Sequence, residues 1–170
     1  SKSITTILAN YSAPNNHIFH TVLVAIAYHL LGASPWILRL PAFLAGILSV
    51  PAAYLAARRF FSRQQALAAA AAIAVTPGLI EYSVNGRGYT LITLFALLLA
   101  NFAGILVREQ KRSALIAYGL TAALGFFTIP IFLYPMAGIS LWVAASYLTE
   151  NSSRQLRLHK LAVFLITCTL

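Results

Sequence analysis

Residues 89–107 read YTLITLFALLLANFAGILV. The run carries no charge, and its length is close to the roughly 20 mainly apolar residues that cross a hydrocarbon core about 30 Å thick. Arg87 stands just before it, and Arg108, Lys111 and Arg112 follow it. An apolar run of this kind, closed by cations, reads as a transmembrane helix. Its neighbours read the same way. The chain of 170 residues is 60% hydrophobic and only 9% charged, with a mean hydropathy of +0.81. Those values exclude an ordinary water-soluble domain and point to an all-α, multi-pass membrane bundle. By the length rule the chain has room for about five or six spans.

Working outward from that run, membrane helices are expected at about 36–57, 64–80, 113–130 and 131–148, with a truncated one at 160–170. Pro41 and Pro51 fall inside the first of these, which membrane helices tolerate. Ala-rich 64–80 suits close helix packing, and Thr76-Pro77-Gly78 loosens its far end. Residues 1–35 read as an outer-side loop with an interfacial helix. The segment HIFHTVLVAIAYHLLGA, 17–33, is short for a span and would bury His29 deep in lipid. The sequence starts without Met and stops inside the apolar run LAVFLITCTL, so it reads as a piece of a longer protein.

The formal net charge of +9 does not mark a nucleic-acid face. Nine of the twelve Lys and Arg residues form three clusters: Arg58/Arg59/Arg63, Arg108/Lys111/Arg112 and Arg154/Arg157/Lys160. Each borders an apolar run, which is the positive-inside pattern. With all three clusters inside, residues 1–35, 81–88 and the 128–131 turn lie outside. The lone Cys168 has no partner for an internal disulfide.

The acidic residues are three glutamates, and the chain has no Asp. Glu109 and Glu150 border basic clusters and are explained by loop solvation. Glu81 is the one carboxylate assigned to the outer side, in EYSVNGRGY, 81–89. Two readings of that stretch stand side by side. It is an exposed loop in which Gly86 and Gly88 permit a tight turn, with Tyr82 and Tyr89 in an interface belt. Or Arg87 anchors an anionic headgroup, to which its planar set of donors is suited. Arg39 is a second candidate cation, with snorkelling to the headgroups as its plain explanation. Asn15 and Asn16 read as a turn and helix N-cap before His17. His17 and His20 share a helix face, and with Glu81 they offer a set of divalent-metal ligands. His-x-x-His is common, and no metal site is assigned. No phosphate-cradling Gly loop, nucleophile elbow or His-Glu-x-x-His helix is present.

Several stretches occur in an order that resembles the integral-membrane GT-C glycosyltransferases. They are APNNHIFHTVL, LLGASPWILRLPAFLAGILSVPAAYLAARRFF, TPGLIEYSVNGRGYTL and FFTIPIFLYP. The likeness is to the protein-mannosyltransferase and aminoarabinose-transferase branch, which has many bacterial members, and it covers nearly the whole chain. It implies an enzyme of the bacterial inner membrane. Such an enzyme moves a monosaccharide from a polyprenyl-phosphate donor to an acceptor hydroxyl on the outer face, among membrane lipids and without nucleic acid. It also implies that Arg87 and Tyr89 match an Arg-Gly-Tyr-like element that meets the donor phosphate, with Arg39 in support. His17 matches a His that precedes a helix near the site, and Asn16 and Tyr82 count with it as site-lining. The family's essential acid, commonly Asp, is expected upstream, which leaves Glu81 as a helper. No cofactor is assigned. The alternative class is a multi-pass transporter or lipid carrier. It predicts charged groups near the midplane and matched repeats, neither of which the sequence contains.

Overall fold

The computed structural model describes residues 17–150 and 153–169. Among these residues there are eight α-helices, one 3-10 turn and no strand. They are α1 (Ile18–Leu31), α2 (Pro35–Arg58), α3 (Arg63–Val75), α4 (Pro77–Val84), α5 (Tyr89–Glu109), α6 (Arg112–Thr128), the turn Pro130–Phe132, α7 (Leu133–Thr149) and α8 (Arg154–Thr169).

Local chemistry sets several of these limits. Pro35 occupies the first turn of α2 and Pro77 that of α4, where a missing N–H costs nothing. Ser62 and Gln65 form a reciprocal capping box at the start of α3. The left-handed Gln110, φ 53°, ends α5. Helix α2 runs unbroken through Pro41 and Pro51.

The bundle is built around α5, which lies against α2, α6 and α7. Its buried side chains include Leu91, Leu94, Phe95, Leu99, Ala103 and Leu106. The face of α2 turned inward is made of small residues: Ala42, Ala45, Ser49, Ala52, Ala53 and Ala56. The large residues Phe43, Leu44, Ile47, Leu48 and Leu55 stay exposed. Water would favour the opposite arrangement. In lipid the large side chains lose nothing by facing outward, and small ones let backbones approach, so packing itself holds the helices together. Two buried hydroxyls are satisfied by carbonyls: Thr90 of α5 donates across to Ala42 of α2 at 2.9 Å, and Ser49 donates within α2 to Ala45 at 2.8 Å.

Three helices are long and apolar enough to span: Pro35–Arg58, Tyr89–Glu109 and Pro130–Thr149. The pair α3–α4 makes a fourth if taken as one broken span, bent by 53° at Thr76. Five or six full spans were expected. The difference lies in length and continuity: α6 has 17 residues and α1 has 14, and Pro77 removes the N–H that would carry α3 onward. The helix expected at 64–80 is therefore two, and the second reaches Val84. Glu81 and Tyr82, expected in a loop, stand on α4, and the turn proper is Asn85–Gly88.

The three basic clusters meet at one end of the bundle. Arg59 pairs with Glu109 at 2.5 Å and donates to the Asn101 side-chain oxygen at 3.1 Å, while Lys111 pairs with Glu109 at 2.6 Å. Lys160 holds both oxygens of Glu150 at 2.7 Å, and Gln110 donates to the same carboxylate at 2.9 Å. The two glutamates thus do more than solvate loops: each joins helices that are distant in sequence. Arg108 lies 5.0 Å over the Phe60 ring.

Candidate functional site

At the other end of the bundle, four segments converge on the Asn85–Gly88 turn. Gly86 has φ +61°, a conformation that favours glycine. The turn lies directly on the start of α2. A β-carbon at Gly86 would be 3.5 Å from the Leu38 carbonyl oxygen and 3.7 Å from Arg39 Cγ. Gly88 is buried. A β-carbon there would come within 2.8 Å of His17 Nδ1 and 2.9 Å of Thr128 Cγ2, closer than real contacts allow. Gly88 is therefore the point at which the start of α1, the start of α5 and the end of α6 touch.

The aromatic side chains continue this contact. His17 stands edge-on to Tyr89, with centroids 4.9 Å apart and planes at 79°. Tyr89 meets Tyr82 of α4 at 4.7 Å and 43°. Phe19 of α1 packs on Phe95 and Phe127 at 5.9 and 6.2 Å, which seats α1 across α5 and α6. The sequence alone did not single out Thr128, and nothing local to it signals the contact. The burial of His20 is also new, although its spacing from His17 put both on one face.

Burial pushes the His17 imidazole below the usual histidine range, and the Arg87 guanidinium pushes it the same way. His20 is only 5% exposed. Its burial, with a smaller effect of His17, lowers its pKa to about 4. Both rings are thus neutral at pH 7. His17 Nδ1 and His20 Nε2 are buried without a hydrogen-bond partner among the described residues.

Arg39, Glu81, Tyr82 and Arg87 are exposed, and Tyr89 is half-buried. No ion pair joins Glu81 to Arg87, and among the described residues none reaches Arg39 either. The acid/base couple suggested by their spacing does not form. No three His, Cys, Asp or Glu side chains gather among the described residues, so His17, His20 and Glu81 are not assembled as a ligand set. Asn16 lies outside the described residues.

Beside this surface, an apolar cavity of about 210 Å³ opens between α2, α3 and α4. Phe43, Ile47, Ile73 and Leu79 line it, with the hydroxyls of Ser83 and Thr90 at its wall. The site end thus combines two unpaired cations, a neutral imidazole and an apolar recess. That combination can receive an anionic group carried on a hydrocarbon chain.

A family model described as dolichyl-phosphate-mannose-protein mannosyltransferase matches residues 15–170. No curated protein and no solved structure matches the chain at a significant level. The match takes in every helix among the described residues and the whole of the Arg87 surface, and an all-α bundle with three or four candidate spans is consistent with it. This chain belongs to the dolichyl-phosphate-mannose-protein mannosyltransferase family, a family of membrane glycosyltransferases that use polyprenyl-phosphate-linked sugar donors.

Proposed function

We propose that the full-length protein transfers a monosaccharide from a polyprenyl-phosphate donor to an acceptor hydroxyl at the outer face of a bacterial inner membrane. The observation that carries this reading is the pair of unpaired cations at one end of the bundle, Arg87 on the turn and Arg39 beneath it. An apolar recess lies beside them.

Breaking the sugar–phosphate bond leaves charge on the departing phosphate, and a cation placed there stabilises the transition state. Arg87 is assigned to that phosphate, with Arg39 as its support. Tyr89, held between His17 and Tyr82, is assigned to the donor phosphate with Arg87, and His17 and Tyr82 are assigned to the lining of the site. The cavity between α2 and the α3–α4 pair takes the first prenyl units. The acceptor hydroxyl needs a base. Glu81 is exposed on α4 and unpaired, and it is assigned a helper role; the base itself is assigned to a carboxylate outside these 170 residues. No metal enters this scheme.

The test is transfer of radiolabelled sugar from a synthetic polyprenyl-phosphate donor by full-length protein in proteoliposomes. Arg87→Ala is expected to abolish transfer with normal expression and insertion, and Arg39→Ala to lower it less. Glu81→Gln is expected to keep most of the rate. Full activity in Arg87→Ala would overturn the phosphate assignment.

A further inference from the structure

At the basic end, away from the candidate catalytic surface, a second cavity of about 280 Å³ opens between α5, α6, α7 and α8. Its floor is apolar. Leu106, Tyr147 and Phe164 line it and are 4%, 7% and 1% exposed. Its rim carries the cations Lys111, Arg112 and Lys160 and the imidazole of His159.

The carboxylates nearby are already engaged. Glu109 is held by Arg59 and Lys111, and Glu150 by Lys160 and Gln110. Arg112 and His159 make no ion pair among the described residues, and both are exposed. The rim therefore keeps net positive charge that the protein itself does not neutralise. A soluble anion would use the rim and leave the floor empty. A neutral lipid would fill the floor and leave the cations unmatched.

We propose that this cavity binds an anionic phospholipid, with its phosphate at Arg112 and His159 and the start of an acyl chain on Leu106 and Phe164. Basic pockets between transmembrane helices hold anionic headgroups by this combination of charge and apolar contact. The guanidinium fork of Arg112 matches phosphate oxygens. The site lies at the end of the bundle opposite Arg87. It draws on the leaflet that faces the three basic clusters and is separate from the donor surface.

Native mass spectrometry of the full-length protein tests this, using phosphatidylglycerol and phosphatidylethanolamine with identical acyl chains. The wild type is expected to retain phosphatidylglycerol under activation that strips phosphatidylethanolamine. Arg112→Gln should lower retention about fivefold, the effect of one cation removed, and Arg112→Gln combined with His159→Gln should lower it further by removing a hydrogen-bond donor to the phosphate. Arg63→Gln, a charge change at the same end but outside the cavity, should leave retention unchanged, and millimolar inorganic phosphate should not displace the lipid. Equal retention of the two lipids in the wild type overturns the proposal without any variant. So does wild-type retention in the double variant. An equal loss in Arg63→Gln would mean diffuse surface attraction. Displacement by phosphate would assign the rim to a free anion. Either of these last results also overturns the lipid site.

Discussion

His17 Nδ1 points at the one position in the Asn85–Gly88 turn where a side chain would have no room: a β-carbon on Gly88 would lie 2.8 Å from that nitrogen. The contact joins the start of α1 to the turn that carries Arg87. Gly88→Ala must push His17 away from Tyr89 or the turn away from Thr128. Overpacking of this kind costs about 1–3 kcal/mol. The variant is expected to melt earlier in detergent and to lose roughly tenfold in transfer, because a small misplacement of a positioning group is costly to the rate. A wild-type rate together with a wild-type melting temperature would show that the turn has room to relax.

The buried histidines predict how stability depends on pH. His20 has a folded-state pKa of about 4, below the usual value of 6.5, and His17 is lowered in the same direction. Unfolded chains take up protons on these rings as pH falls below 6.5, while the folded protein does not. The unfolded state then binds more protons, so stability falls with falling pH between about 6.5 and 4. The full effect of His20 is of order 3 kcal/mol. Melting temperatures measured at pH 7.5 and 5 should separate clearly in the wild type. The gap should narrow in His20→Phe, which keeps an aromatic ring and removes the titration.

Gly46 of α2 faces Ser83 of α4 so closely that a β-carbon on Gly46 would collide with the Ser83 hydroxyl. Both residues line the apolar cavity beside Arg87. Gly46→Ala is expected to displace α4 and narrow the recess, raising the donor KM about tenfold with a smaller change in kcat, as for loss of uniform binding. Gly46→Ala combined with Ser83→Ala removes the colliding oxygen and should recover much of the affinity, a coupling expected of residues in direct contact. A double variant no better than the single one would place the effect elsewhere.

The two ends of the bundle predict sidedness. The turn with Arg87 lies at one end and the Arg108/Lys111/Arg112 cluster at the other, joined by α5. Single cysteines at Asn85 and Ser113, in a background without other cysteines, should react with an impermeant maleimide from opposite sides of the membrane. The positive-inside rule assigns Ser113 to the cytoplasm. Labelling of both from one side would reverse the assignment of α5 as a span.

The apolar runs and their basic borders were enough to read an all-α membrane bundle, the start and end of α5, and the limits of α2 and α7 to within about two residues. That information is local. A run of uncharged residues ended by cations has the same meaning wherever it occurs, because lipid leaves the backbone few alternatives to helix. Arg87 and Tyr89 were singled out by their match to the Arg-Gly-Tyr-like element of the family that the sequence resembles, since a cation and an aromatic beside a span are ordinary by themselves.

What surrounds them was not legible. Glu81 and Arg87 are near in sequence yet form no ion pair, because Glu81 stands on α4 and Arg87 on the turn beyond it. His17, Gly88 and Thr128 are far apart in sequence yet touch. Their meeting depends on how α1, α5 and α6 pack together, with Phe19 seated on Phe95 and Phe127. The sequence by itself determined which segments are helical and which ends are charged, since both follow from residue type and spacing. Only the tertiary structure decided which turns meet, because steric fit between helices distant in the chain leaves no periodic mark on any one of them.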